Sequence, residues 1–295
     1  MDATGASITA CVVCRNEADR LAGCLESIAW VDELIVMDLD STDASREVAV
    51  RAGASVVTRP PHPIVEPLRN ELADRATSTW ILAIDPDERI TPGLAAQLRR
   101  LAERTDIDAV VLPRMNYDLG YPPSHPLHRY EPQLRMYRRN VVRWPEFPNA
   151  LPKVPEHRKH VIPPSDSVVM IHDRARSVPE ILDRVIRYAP AQAEAMVAAG
   201  ERFTATRMLK AMTAETYKQF VWGQAWRDGV PGFFRATTLV AFKMYVWAAF
   251  WQLSGRGRTH DDDRTLRAVG AVAETGRLFL RVGRTIYRVL LRPLR

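Results

Sequence analysis

The sequence predicts an α/β fold, a mostly parallel sheet flanked by helices and followed by a helical C-terminal region. Three observations predict it. Short apolar runs alternate with helix-period segments as far as residue 112, each run is punctuated by polar residues, and from Pro179 onward the pattern is helical. With 295 residues the chain can bury a full α/β core and keep about a hundred residues for a second unit.

Ile8–Cys14 reads as the first strand, and Asn16-Glu17 leads into a helix over Ala18–Ala29 where Leu21, Leu25 and Ile28 recur at helical spacing. Neither G-x-G-x-x-G nor G-x-x-x-x-G-K-[ST] follows that strand, which argues against a dinucleotide oxidoreductase and a P-loop NTPase. Glu33–Met37 is the second strand, ending at Asp38, with Asp40, Ser41, Thr42 and Asp43 before a helix over Ala44–Ala52. A short strand Ser55–Thr58 and a helix Val65–Ala76 carrying Arg69-Asn70 precede Trp80–Ile84, an apolar run of buried-strand length that stops abruptly at Asp85, Asp87 and Glu88. Carboxylates crowded at a strand end repel one another unless a cation neutralises them, and Mg²⁺ or Mn²⁺ with a phosphate-bearing ligand answers that need. The plain alternative is a turn at Pro86 with solvated acids ahead of the helix opening at Thr91-Pro92. A helix Pro92–Glu103 and a strand Ala109–Leu112 follow.

Between Pro113 and Pro164 prolines are dense, with Tyr, His and Arg interleaved and little periodicity. Fixed φ angles lower the entropy lost on ordering, which suits a surface that must hold one shape around a substrate. Helices are then expected over Pro179–Tyr188, Ala191–Ala199, Phe203–Trp226 and, after Gly229, Pro231 and Gly232, over Phe233–Leu253. Leu239–Leu253 is aromatic-rich, but at 15 residues it is shorter than the roughly 20 a membrane span needs.

Residues 255–295 hold ten arginines against four acids, which accounts for the whole formal charge of +6. Arg277, Arg281, Arg284, Arg288 and Arg292 recur at helical spacing with Leu278, Val282, Val289 and Leu290 between them. That make-up fits a helix lying flat on an anionic membrane surface. No nucleic-acid-binding signature accompanies the charge, so nucleic acid is not expected as a partner. Cys11, Cys14 and Cys24 have no framework spacing and fit buried thiols in a reducing compartment. MDATGAS has neither a basic nor an apolar signal region, so no secretory signal is expected.

The order of Asn16-Glu17, Cys24-Leu25-Glu26-Ser27, Asp38 with Ser41-Thr42-Asp43, Arg69-Asn70 and the acids Asp85, Asp87 and Glu88 resembles the family-two inverting glycosyltransferases of the GT-A fold. It is closer to the bacterial branch that adds sugars to lipopolysaccharide core or other lipid-linked glycans. The resemblance implies a Rossmann-like nucleotide-sugar core at 1–112, an acceptor-binding and catalytic segment at 113–178, and a membrane-surface region at 179–295, acting in the cytoplasm on the inner face of the plasma membrane. Asn16, Glu17, Asp38, Arg69 and Asn70 would then serve the nucleotide, and Asp87, with Asp85 through water, the Mn²⁺ or Mg²⁺ that bridges two phosphates. Gln133 and Arg135, in an element like the family's Gln-x-Arg-Leu, would steady the acceptor or diphosphate. Val154-Pro155-Glu156 stands where the family carries Val-His-Glu, making Glu156 the candidate base, with Glu131, Glu146 and Asp118 in reserve. His172 would be a further metal ligand.

Asp38-Leu39-Asp40-Ser41-Thr42 also spells the D-x-D-x-T of haloacid-dehalogenase-type phosphatases, with Asp38 as nucleophile and Asp40 as acid/base. A third alternative is a binding protein that keeps the fold without activity.

Overall fold

The computed structural model describes residues 6–62, 64–125, 129–146, 151–255, 257, 262–274 and 277. The arginine stripe from Arg281 to Arg292 lies outside the described residues. The chain divides between Arg176 and Ser177 into two compact units.

In the first unit, β1 (Ile8–Cys14), β2 (Glu33–Asp38), β3 (Ser55–Thr58) and β4 (Trp80–Ile84) are parallel in the order β3-β2-β1-β4. Every residue of β1 and β4 is buried, because helices cover both faces of this part of the sheet. The period of two shows in β4: Trp80, Leu82 and Ile84 pack into one core with Leu21, Leu94 and Leu98, and Ile81 and Ala83 into the opposite core with Met37, Leu72 and Tyr137. Helices α1 (Ala18–Ser27), α2 (Ser45–Arg51), α3 (Glu66–Arg75) and α4 (Pro92–Ala102) are the intervening elements. In α4 the Thr91 hydroxyl accepts from the Leu94 amide and Pro92 fills the first turn, as the sequence predicts for a start there.

Beyond β4 the sheet departs from the mostly parallel expectation. It continues as β4-β7-β6-β9-β5, through β5 (Glu88–Ile90), β6 (Ala109–Asp118), β7 (Tyr130–Arg138) and β9 (Met170–Ala175). The β4/β7, β6/β7 and β5/β9 pairs are antiparallel. β6 runs well past Leu112, with Pro113 set opposite Pro132 on β7. Along its other edge β6 pairs first with β8 (Lys159–Val161) and then with β9, both parallel. The proline-dense segment therefore supplies the second half of β6 and all of β7 and β8 to the sheet.

In the second unit, the two helices expected between Pro179 and Ala199 are one, α5 (Val178–Ala198), with Pro190 inside it. The stretch expected as one helix over Phe203–Trp226 is broken into α6 (Ala205–Thr216), a π-helical turn Tyr217–Trp222 and a 3₁₀ turn Ala225–Asp228. Helix α7 (Gly229–Leu253) begins within the Gly-Pro-Gly stretch, since Pro231 is tolerated in a first turn. Phe203, Trp247 and Phe250 meet edge to face at centroid distances of 5.7–6.2 Å and centre the core of this unit with Ala193. No helix among the described residues is long and apolar enough to cross a membrane.

Candidate active site

The carboxyl ends of β1, β2 and β4 lie side by side, which is where open α/β sheets bind ligands. At the end of β1, Asn16 adopts φ +54°, and beyond β2 Asp40 does the same, a conformation Asn and Asp tolerate better than most residues. The two loops clasp each other. The Asn16 amide donates to Ser41 Oγ (2.9 Å), the Thr42 amide donates to Asn16 Oδ1 (2.7 Å), and the Ala18 amide donates to Asp43 Oδ2 (3.0 Å). Asp38 is buried at the base of this clasp, accepting from the Ser41 amide at 3.3 Å, and Glu17 stands at its rim near Arg20. Asn16 thus braces the loop through its carbonyl oxygen.

Asn70 is hydrogen-bonded to the backbone of Trp144. Its side-chain amide donates to the Trp144 carbonyl and accepts from the Trp144 amide, each at 2.9 Å, so it braces the segment at Trp144. Arg69 lies over the Trp144 ring, 4.5 Å from its centre, and donates to Asp85 Oδ1 at 2.8 Å. Asp85 is also gripped by Arg135, Nη2 to Oδ2 at 2.5 Å, and the same nitrogen reaches Glu88 Oε1 at 2.6 Å. Partial burial would raise the Asp85 carboxyl, but the charges of Arg135 and Arg69 override it and hold the group well below the usual carboxylate range. Both Asp85 oxygens are engaged by guanidinium groups.

Arg135 gets there because β7 carries a bulge. Val110 pairs with Met136 and Val111 with Leu134, so Arg135 is the extra residue, and its side chain is turned inward and buried. Arg135 is therefore a buried brace for Asp85 and Glu88. Gln133 is half-buried on the same strand, opposite Leu112.

Asp87 sits in the tight connection between β4 and β5, and the pairing of β5 with β9 sets Glu88 opposite His172. The Asp173 amide donates to the Asp87 carbonyl (2.8 Å), and His172 Nε2 lies 3.2 Å from Asp87 Oδ2. On the other side of the ring, His172 Nδ1 is 2.6 Å from Asn116 Oδ1, while Asn116 Nδ2 donates to Glu131 Oε2 at 2.9 Å. Glu131 fixes which way the Asn116 amide faces. Its oxygen must then point at His172, so Nδ1 donates to Asn116 and Nε2 is left facing the Asp87 carboxylate. An imidazole anchored through Nδ1 with Nε2 beside a carboxylate is a donor set whose chemistry fits a divalent ion. Among the described residues no group of three or more His, Cys, Asp or Glu converges to hold such an ion alone.

Glu131 also accepts from Arg114 at 2.6 Å, and Arg114 donates to Glu88 at 3.1 Å. Burial pushes the Glu131 carboxyl up, but the Arg114 charge and the bonds from Arg114 and Asn116 hold it below its ordinary value, so it is ionised at neutral pH. Glu156 is elsewhere. It lies on the short turn Glu156–Arg158, exposed and paired with Lys159 at 2.6 Å, and Lys159 is level with Ala109 at the start of β6, whereas His172 is level with Asn116. Seven residues of strand separate those levels, about 20 Å, so the structure does not bring Glu156 together with Asp87 and His172. Of the reserve carboxylates, Asp118 is buried and accepts from Nε and Nη2 of Arg174, Glu146 is exposed near Trp144, and Glu131 alone joins the His172 network.

Sequence reasoning missed Arg114 and Asn116. Their signal was the alternation Arg114-x-Asn116-x-Asp118, a polar face continuing the strand begun at Ala109.

Residues 9–155 match the family model described as Glycosyl transferase family 2. A TPR repeat-containing protein of Synechococcus elongatus is 31% identical over 142 residues, covering 47% of this chain and 35% of that one. The lipopolysaccharide core biosynthesis glycosyltransferase LpsC of Rhizobium meliloti is 24% identical over 247 residues, covering 78% of this chain and 87% of its own. Among solved structures, the mannosyltransferase PcManGT of Pyrobaculum calidifontis, in complex with GDP-Man and Mn²⁺, is 15% identical with a TM-score of 0.46, covering 92% of this chain and 81% of that one. The chain spans about a third of the length of the first curated relatives it matches.

Proposed function

The chain belongs to glycosyltransferase family 2 through the domain at residues 9–155, and from that premise we propose that it is a metal-dependent inverting glycosyltransferase acting on a nucleotide-sugar donor. The observation that carries the metal-dependent part is the facing pair of Asp87 Oδ2 and His172 Nε2, with the ring locked by Asn116. In this reading Asp38 and Glu17 receive the nucleoside at the ends of β2 and β1. Arg69, Asp85 and Arg135 hold the β4 end rigid. Asp87 and His172 hold Mn²⁺ or Mg²⁺, which when bound neutralises charge developing on the departing diphosphate.

Transfer with inversion breaks the anomeric C–O bond to phosphate and forms a bond to the acceptor oxygen, whose proton must be taken up. Glu131, ionised and partly exposed, is the base in this reading, in place of Glu156. Residues 113–178, with Gln133 at the strand surface, form the acceptor segment, and residues 179–295 the membrane-facing one. The acceptor is a lipid-linked or cell-envelope glycan, met at the inner face of the plasma membrane. Similarity to a relative named for lipopolysaccharide core biosynthesis supports that choice of acceptor. The phosphatase and inactive-binder alternatives are not favoured. The family match accounts for Asp38 without a nucleophilic role, and Asp38 is buried under the Ser41 loop.

The test is a thermal-shift screen of nucleoside diphosphates with and without Mn²⁺, followed by turnover of a nucleotide-sugar panel and of a generic phosphate ester. Mn²⁺-dependent stabilisation that disappears in Asp87→Ala, and sugar transfer that disappears in Glu131→Gln, are the expected results. Full transfer by Asp87→Ala, or Asp38-dependent phosphate release without nucleotide-sugar turnover, would overturn the reading.

A further inference from the structure

The second unit carries an apolar tip that its own core does not use. The chain reverses between α6 and α7 through Gly223, Gln224 at φ +48° and Gly229 at φ +64°. The pieces of the tip are fixed to one another. Phe220 and Phe233 meet edge to face at 5.6 Å, Arg235 donates to Asp228 at 2.7 Å, and a Cβ on Gly232 would lie 2.2 Å from the Ala225 carbonyl oxygen, so α7 packs directly on the 3₁₀ turn. Trp222, Trp226, Val230, Phe233 and Phe234 nonetheless each leave at least half of their surface open.

A rigid reversal that exposes two tryptophans and two phenylalanines within 13 residues is far from the scatter of single exposed apolar residues that a surface normally shows. Its charges are one-sided. Lys218 and Arg227 are exposed, and the one acid between Tyr217 and Arg235 is Asp228, held by Arg235. Aromatic rings with an apolar body and a polar edge, rimmed by cations, match the boundary between lipid headgroups and acyl chains.

The geometry points to the 217–234 tip as the part of this protein that enters an anionic lipid surface, with Trp222, Trp226 and Phe234 inserted and Lys218 and Arg227 at the headgroups. This rests on the membrane-facing part of the function proposed above and assigns it to a place distinct from the arginine stripe.

The full chain is sedimented with vesicles of phosphatidylcholine plus phosphatidylglycerol and with phosphatidylcholine alone, beside two variants. One is Trp222→Ser/Trp226→Ser/Phe234→Ser, and the other Arg281→Gln/Arg284→Gln/Arg288→Gln/Arg292→Gln. Brominated lipids report insertion through quenching of tryptophan fluorescence. The expected result is binding that prefers the anionic vesicles and falls at least about tenfold in the tip variant, with quenching lost in that variant but kept in the arginine variant. Unchanged partitioning and quenching in the tip variant would overturn the proposal. So would a wild-type chain whose tip drives self-association in light scattering without quenching. Failure of every form to bind either vesicle would instead defeat the membrane-facing reading as a whole. Trp226→Lys, a single change on the exposed turn, repeats the test where the triple variant is not folded by circular dichroism.

Discussion

Replacing Arg135 with Met removes the cation that joins Asp85 to Glu88 while keeping most of the side-chain volume. One guanidinium nitrogen supplies both contacts, at 2.5 and 2.6 Å, and Glu88 has no exposed surface. Removing one partner of a buried ion pair typically costs about 3–5 kcal/mol, because a charge is left behind without compensation. Two features place this case at the lower end. Arg114 still reaches the same Glu88 oxygen at 3.1 Å, and the Asp85 side chain keeps about a third of its surface in water. A loss of about 3 kcal/mol corresponds to a fall of roughly 6–12 °C in the melting of a unit this size. Differential scanning calorimetry with urea titration measures it, and Glu88→Gln in the same background should lose less than the sum of the single changes. A loss below about 1 kcal/mol with additive single changes would refute the claim that this network fixes the β4–β5 connection.

Asn116→Leu should weaken Mn²⁺ binding in the presence of a nucleoside diphosphate by about 10–100-fold, read by titration calorimetry, because the His172 ring loses the partner that orients it. Gly93→Ala places a Cβ 2.3 Å from the Ser167 carbonyl oxygen, a backbone atom that cannot swing aside, so it should cost about 1–3 kcal/mol in urea unfolding. Burial pushes the Cys14 thiol up to about 12 and raises Cys11 and Cys24 as well, so in native protein all three should resist dithionitrobenzoate at pH 8 and react only after denaturation.

The parallel half of the sheet was readable because each of its strands is a continuous apolar run closed by a polar loop. Trp80–Ile84 and Ile8–Cys14 could hardly be anything else. Strand β5 was not readable. Glu88-Arg89-Ile90 has no strand pattern of its own and exists through its ladder with β9, so its acids look like a solvated turn. β7 was hidden for a different reason: the bulge at Arg135 shifts the alternation by one residue midway, and Pro132 falls inside it. Asp87 was legible as a candidate from its place at a strand end and His172 through the family resemblance, and the two side chains meet at 3.2 Å, but the contact of Glu131 with Asn116 crosses strands and no local window contains it. The single helix through Pro190 shows tertiary packing overriding a residue that locally marks a break.

The ladder between β5 and β9 has a practical corollary. Asp87 and His172 are 85 positions apart, and the family match stops at residue 155, short of the strand that carries the imidazole. Alignments limited to that window weigh Asp87 and are blind to its partner. A minimal fragment cut at the family boundary would keep the loops after β1 and β2 yet be unable to bring the imidazole to Asp87, and a useful one must extend at least through Ala175.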